Sequence, residues 1–248
     1  MDSGRPIRIL VIDGGGIKGI IPLKILLSIQ EKLSGRKLQE CFDLIVGTST
    51  GAIIALLLLK DYSIEQIIQF YQRFASLVFP SSKISKYVPN WLNSWINTFS
   101  LISGSKHSVK PLEDLLRSEF KDVTMNDYVQ SSLKVVVTTT LFRPHSRVPE
   151  VRCFYNHQYV DESRSYHRYN LGIKLWEAAR CTSAAPYYFD QPYLIHRSPT
   201  DTKHPETYID GGILYNNPIF KAVEYAAKFF PNKPIGLIVS LGCGKIKV

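Results

Sequence analysis

The feature that most constrains this chain is Ala52–Leu59, eight consecutive apolar residues directly downstream of Gly47-Thr48-Ser49-Thr50-Gly51. A helix that is apolar on every side has no face to give to water, so it must lie inside a layered fold. It is far shorter than the roughly 20 residues that span a bilayer, and no longer unbroken apolar run occurs. Cys41–Val46 upstream reads as a short strand, which makes the five intervening residues a strand-to-helix turn. Gly-x-Ser-x-Gly in that context is what a nucleophile elbow requires. The turn is so sharp that only glycine fits two residues either side of the serine, and the serine oxygen projects at a helix N-terminus. The competing reading is a turn whose serine caps the helix.

The rest of the chain alternates in the same way. Ile7–Ile12, Leu133–Thr140, Val151–Tyr155, Tyr208-Ile209 and Ile235–Leu241 read as strands, being β-branched or continuously apolar. Ile20–Leu33, Gly51–Leu59, Ile64–Val78, Val109–Phe120, Lys174–Arg180 and Pro218–Phe229 read as helices. Strands alternating with helices predict an α/β class with a largely parallel or mixed sheet. No internal boundary or repeat is visible, so a single domain over 1–248 is expected. The chain ends just after a strand, which reads as a cut inside a longer protein.

Composition removes several alternatives. Apolar residues make up 45% of the 248 and charged residues 21%, too rich a core for a disordered chain. The N-terminus has too short an apolar stretch for a signal peptide, and Asp2 excludes N-myristoylation. Cys41, Cys153, Cys181 and Cys243 are far apart, with no zinc or redox spacing, and there is no Asn-x-Ser/Thr sequon. A reducing, cytoplasmic compartment is the expectation. The net charge is +9, and Gln66–Leu112 contains five Lys or Arg but no Asp or Glu. Such a balance suggests an anionic partner, a membrane surface or a nucleic acid.

Two further motifs carry chemistry. Gly14-Gly15-Gly16-Ile17-Lys18-Gly19 follows the first strand and fits Gly-x-Gly-x-x-Gly. It could cradle a dinucleotide pyrophosphate on backbone amides, with Glu40 loosely placed for the ribose. It could equally be an oxyanion hole, since bare glycine amides can approach a developing alkoxide. A Gly-x-Ser-x-Gly on the next strand favours the second reading. Asp210-Gly211-Gly212 ends another strand, where the carboxylate could lean into a cleft or form an Asx turn. No histidine follows Asp210, so a triad in the order Ser, Asp210, His cannot exist. An earlier acid such as Asp161 with His167, His196 or His204 remains open.

Together these motifs resemble the patatin-like phospholipase family. Its glycine-rich loop is matched by Asp13–Gly19, its serine motif by Gly47–Gly51 and its later aspartate motif by Asp210-Gly211-Gly212. Ala178-Ala179-Arg180-Cys181-Thr182-Ser183-Ala184-Ala185-Pro186 is similar to the family's A-T-S-A-A-P stretch, and Asn216-Asn217-Pro218 also matches. Ser240-Leu241-Gly242-Cys243-Gly244 resembles S-L-G-T-G with Cys for Thr, and Lys18 stands where Arg is commoner. The likeness runs from about residue 7 to 244. It implies a three-layer α/β/α sandwich and a Ser49-Asp210 dyad without histidine. It implies an oxyanion hole in Gly14, Gly15 and Gly16, with Lys18, Gly19, Gly47, Gly51, Gly211 and Gly212 as motif residues. It also implies phospholipid acyl hydrolysis with no cofactor, no metal and no calcium at the catalytic centre. Nucleic acid is not an expected partner; galactolipid or neutral-lipid hydrolysis, or nucleotide binding by the Gly14–Gly19 loop, are the alternatives.

One segment matches no family pattern. Within Phe79–Ser105, Trp91, Trp95 and Phe99 recur at helical spacing, with Lys83 and Lys86 nearby. Trp favours the headgroup boundary and lysines favour anionic lipid, so this segment is a candidate for peripheral membrane docking. An aromatic stripe packed under a lid or against the core is the other reading.

Overall fold

The computed structural model describes residues 4–78, 109–143, 148–158, 172–186, 192–195 and 205–244. Strand β1 (Ile7–Ile12) leads through a 3-10 turn (Gly16–Gly19) into α1 (Ile20–Gln30). A second 3-10 turn (Leu38–Cys41) precedes β2 (Leu44–Thr48), α2 (Thr50–Leu59) and α3 (Ile64–Val78). Then come α4 (Lys110–Phe120), β3 (Lys134–Phe142), β4 (Glu150–Tyr155), α5 (Leu175–Thr182), β5 (Tyr193–Ile195) and β6 (Glu206–Ile209). The short α6 (Gly212–Tyr215), α7 (Ile219–Phe229) and β7 (Ile235–Leu241) complete the described elements.

Seven strands form one sheet in the order β5-β6-β3-β2-β1-β7, with β4 also on β3. The pairs β7-β1, β1-β2 and β2-β3 are parallel, whereas β3-β4, β3-β6 and β5-β6 are antiparallel. Alternation along each strand divides the side chains between two cores. In β1, Leu10 and Ile12 join a core with α1, α2, α3, α4 and α5, while Ile7, Ile9 and Val11 join one with α7. Ile45, Val135 and Val137 follow the first pattern; Leu44, Val46 and Val136 follow the second. Helices on both faces of a mixed sheet give the expected α/β/α sandwich. All ten residues of α2 are buried, as the unbroken apolar run Ala52–Leu59 demands.

Several element boundaries differ from expectation: β3 runs on to Phe142, α5 to Thr182, and β6 begins at Glu206. The second strand begins at Leu44, not Cys41, because Cys41 closes the 3-10 turn and the side chain of Asp43 takes the Arg8 N–H at 2.8 Å. Helix α1 stops at Gln30, three residues short of Leu33, and Ser34 and Gly35 follow with positive φ. The candidate docking residues Lys83, Lys86, Trp91, Trp95 and Phe99 lie outside the described residues.

Candidate active site

Strand β3 seats the site. One of its edges pairs with β4, Val136 through Leu141 against Tyr155 through Glu150. The other edge is shared. Strand β2 runs parallel along Lys134–Thr138 and ends at Thr48, and β6 runs antiparallel along Phe142–Thr140 and ends at Ile209. Thr140 faces both Val151 and Ile209, so β6 must occupy the edge that β2 vacates. The two strands therefore end pointing at one another, and the next residue of each is Ser49 or Asp210.

The turn after β2 is the strained elbow its sequence implies. Ser49 has φ 51° and ψ −118°, a left-handed conformation that L-residues rarely hold and that costs about 1–3 kcal/mol. A Cβ on Gly47 would stand 2.4 Å from the Gly51 carbonyl, and one on Gly51 only 2.2 Å from the Ile12 oxygen. Both glycines are thus required by backbone closing on backbone. Ser49 makes no side-chain cap bond to α2, which disposes of the capping reading. Its Oγ instead donates to Asp210 Oδ2 at 2.7 Å.

Asp210 does form an Asx turn, and that turn aims it. Oδ1 accepts the Gly212 N–H at 2.7 Å, leaving Oδ2 for Ser49. Burial pushes its carboxyl up to about 6, against the lowering effect of the Gly212 and Ser49 hydrogen bonds. A Cβ on Gly211 would meet the Thr138 carbonyl oxygen at 2.4 Å, so this turn too is pressed onto β3.

The glycine loop stands beside the serine. A Cβ on Gly14 would lie 3.3 Å from Ser49 Cβ. The loop is tied down by Asp13 N–H to Leu241 O at 3.0 Å and by Gly14 N–H to Asn216 O at 3.1 Å. Thr50 Oγ1 donates to Gly16 O from the first turn of α2. Among the described residues, the N–H groups of Gly15 and Gly16 have no acceptor. Of the three candidate oxyanion glycines, Gly14 has its amide committed elsewhere, which leaves Gly15 and Gly16. Lys18 and Gly19 lie in the 3-10 turn behind the loop, and a Cβ on Gly19 would strike Thr50. Gly15 has a neighbour that sequence reasoning missed: its Cβ would overlap Cys243 Cβ at 2.3 Å. The Cys243 thiol, pushed up to about 12 by burial, donates to Asp13 O at 3.4 Å.

Of the histidines, His157 is the described one, and it stacks on Phe229 of α7 with ring centroids 4.3 Å apart. Among the described residues no group of three or more His, Cys, Asp or Glu stands together as a metal site. Nor is any described helix long and apolar enough to cross a membrane.

Comparison with known proteins finds relatives along nearly the whole chain. Rabbit (Oryctolagus cuniculus) calcium-independent phospholipase A2-gamma is 31% identical over 98% of this chain, and phospholipase A I of Arabidopsis thaliana 31% identical over 97%. The chain spans only 29% and 21% of those two proteins. The solved structure of VipD from Legionella pneumophila superposes with a TM-score of 0.52 at 15% identity, over 96% of this chain and 50% of that one. The patatin-like phospholipase family profile matches residues 10–223, taking in the glycine loop, the elbow and the Asp210 turn. With those three motifs gathered at the ends of β1, β2 and β6, the chain belongs to the patatin-like phospholipase family.

Proposed function

We propose that this chain is a serine acyl hydrolase of phospholipase A type, cleaving ester-linked fatty acids from membrane glycerophospholipids without calcium at its catalytic centre. The observation that carries the proposal is the direct 2.7 Å hydrogen bond from Ser49 Oγ to Asp210 Oδ2 on a strained elbow. The relatives named as phospholipases support the substrate class.

The chemistry follows from the geometry. Ser49 Oγ attacks the ester carbonyl carbon while its proton passes to Asp210 Oδ2. A carboxyl near 6 is ionised at neutral pH yet basic enough to share that proton in the transition state. The alkoxide of the tetrahedral intermediate is received by the N–H groups of Gly15 and Gly16. One such donor contributes about 3 kcal/mol, or 10²–10³ in rate. Collapse expels the lysolipid alcohol, which takes the proton from Asp210. Water then attacks the acyl-enzyme with Asp210 as base again, releasing the fatty acid and restoring Ser49.

A fluorophosphonate probe tests the nucleophile: the parent should label and Ser49→Ala should not. Mass spectrometry of products from mixed-chain phospholipids, a galactolipid and a triacylglycerol would then fix the substrate class and the position cleaved. Release of fatty acid from the galactolipid or triacylglycerol alone would overturn the phospholipase reading and keep the hydrolase. A nucleotide site on the Gly14–Gly19 loop has less support, because the Gly14 amide is spent on Asn216 and the loop abuts Ser49.

A further inference from the structure

The similarity to A-T-S-A-A-P gave residues 181–186 no task, yet the last residue of α5 stands between both halves of the dyad. Thr182 is fully buried. Its Oγ1 accepts the backbone N–H of Ser49 at 2.7 Å and donates to the Thr138 carbonyl at 2.6 Å. Its own carbonyl accepts the Gly211 N–H at 3.2 Å. One residue therefore holds the backbone of the nucleophile with its side chain and the backbone beside the base with its main chain.

Strand β3 continues the arrangement beneath it. The Thr138 hydroxyl lies 2.6 Å from Thr48 Oγ1 and 3.3 Å from Gly47 O, both in the elbow. Thr139 Oγ1 reaches Cys181 O at 3.1 Å and Ile209 O at 3.0 Å. Thr140 Oγ1 donates to Asp210 O at 3.1 Å. All three are buried in the gap where β2 and β6 end facing one another. Valine would suit a buried strand as well and pack without polar atoms. The hydroxyls are there to hold carbonyls that the interrupted ladder cannot.

We infer that Thr182, seated on Thr138, is the positioning residue that keeps Ser49 Oγ within hydrogen-bond reach of Asp210. The inference rests on the serine hydrolase reading above and gives that site its supporting layer. It requires no contact of Thr182 with substrate. Because Ser49 sits at a positive φ, its backbone relaxes unless something over-determines it. The Thr182 hydroxyl does so from one side, while the same residue fixes the turn that carries the base.

The test compares Thr182→Val, Thr182→Ala and Thr182→Ser with the parent, with Ser49→Ala as the inactive reference. Removing the hydroxyl should lower kcat and the rate of fluorophosphonate labelling about 10- to 100-fold, the cost of roughly an ångström of misplacement, with KM within twofold. Thr182→Ser should restore most of the loss. Hydrogen exchange of the Gly47–Gly51 and Asp210–Gly212 amides, which needs no turnover, should quicken in the Val and Ala variants and not in Ser. Thr182→Ala keeps the comparison open if Val cannot be packed, and Thr140→Val tests the Asp210 arm separately. Parent kcat and parent exchange in both Val and Ala would overturn the inference while leaving the hydrolase intact. An inactive parent that does not label would instead sink the hydrolase reading, and the exchange data would still decide the role of Thr182.

Discussion

At the scale of single residues, Asp210 sets how the site responds to pH. Its carboxyl is raised to about 6 from 3.8, chiefly by burial. If it takes the Ser49 proton, hydrolysis should fall as pH drops through about 6, following the protonation of Asp210; a flat rate from pH 8 to 5 would remove it as the base. The same shift acts on stability with a definite sign. Below 3.8 the carboxyl is protonated in both folded and unfolded chains and contributes nothing. As pH rises, the unfolded chain ionises first, and above about 6 the folded state carries the full penalty, at most about 3 kcal/mol. Asp210→Asn should therefore abolish hydrolysis and melt at or above the parent temperature at pH 8. The difference should vanish by pH 3.5. A large drop in melting temperature at pH 8 would contradict this placement of the carboxylate.

At the scale of elements, the glycines around the site separate into two kinds, and the structure revises what each should do. A methyl on Gly15, proposed as an oxyanion donor, looks from sequence like a way to block the oxyanion. The added Cβ points instead into Cys243, so Gly15→Ala should shift β1 against the end of β7 and lose stability along with turnover. Gly51→Ala drives a methyl into the Ile12 carbonyl and should cost about 3 kcal/mol or more by urea denaturation. Gly16 has φ 58° with open space where a Cβ would go, so Gly16→Ala should cost only about 1 kcal/mol. Gly51 has no positive φ, so a loss at Gly51→Ala no larger than at Gly16→Ala would show that the backbone shifts to relieve the collision with Ile12. The glycine-bearing turns were legible because each is a local signal: a strand, a stop, a helix. Thr138–Thr140 were legible as strand but not as a polar support, because what their hydroxyls hold comes from residues 47, 181 and 209–210. Strand β5 has three residues and α6 has four, too few for any periodicity to announce them.

At the scale of the whole molecule, the site is assembled from pieces nearly the full described length apart: the loop after β1, the elbow after β2, the end of α5 and the turn after β6. The pairings that join them are long-range strand registers, and no local pattern encodes those; this is why Ser49 and Asp210 were each visible as local motifs while their pairing followed only from the family resemblance. Strand β7 shows how far the dependence extends. It lies beyond the 10–223 span of the family match, and its first three residues are exposed. Yet it pairs with β1 from Ile7 to Ile12, its Leu241 carbonyl takes the Asp13 N–H, and Cys243 just beyond it packs under Gly15. Deleting residues 235–248 should therefore uncover the β1 edge and release the glycine loop together, giving a chain that neither labels with fluorophosphonate nor melts cooperatively. Where the truncated chain proves insoluble, Cys243→Ala in the full chain gives the milder form of the same test. It removes only the thiol against Gly15 and should slow turnover several-fold while the melt stays cooperative. A truncated chain that labels at the parent rate would mean that β1, β2 and β3 hold the glycine loop without β7.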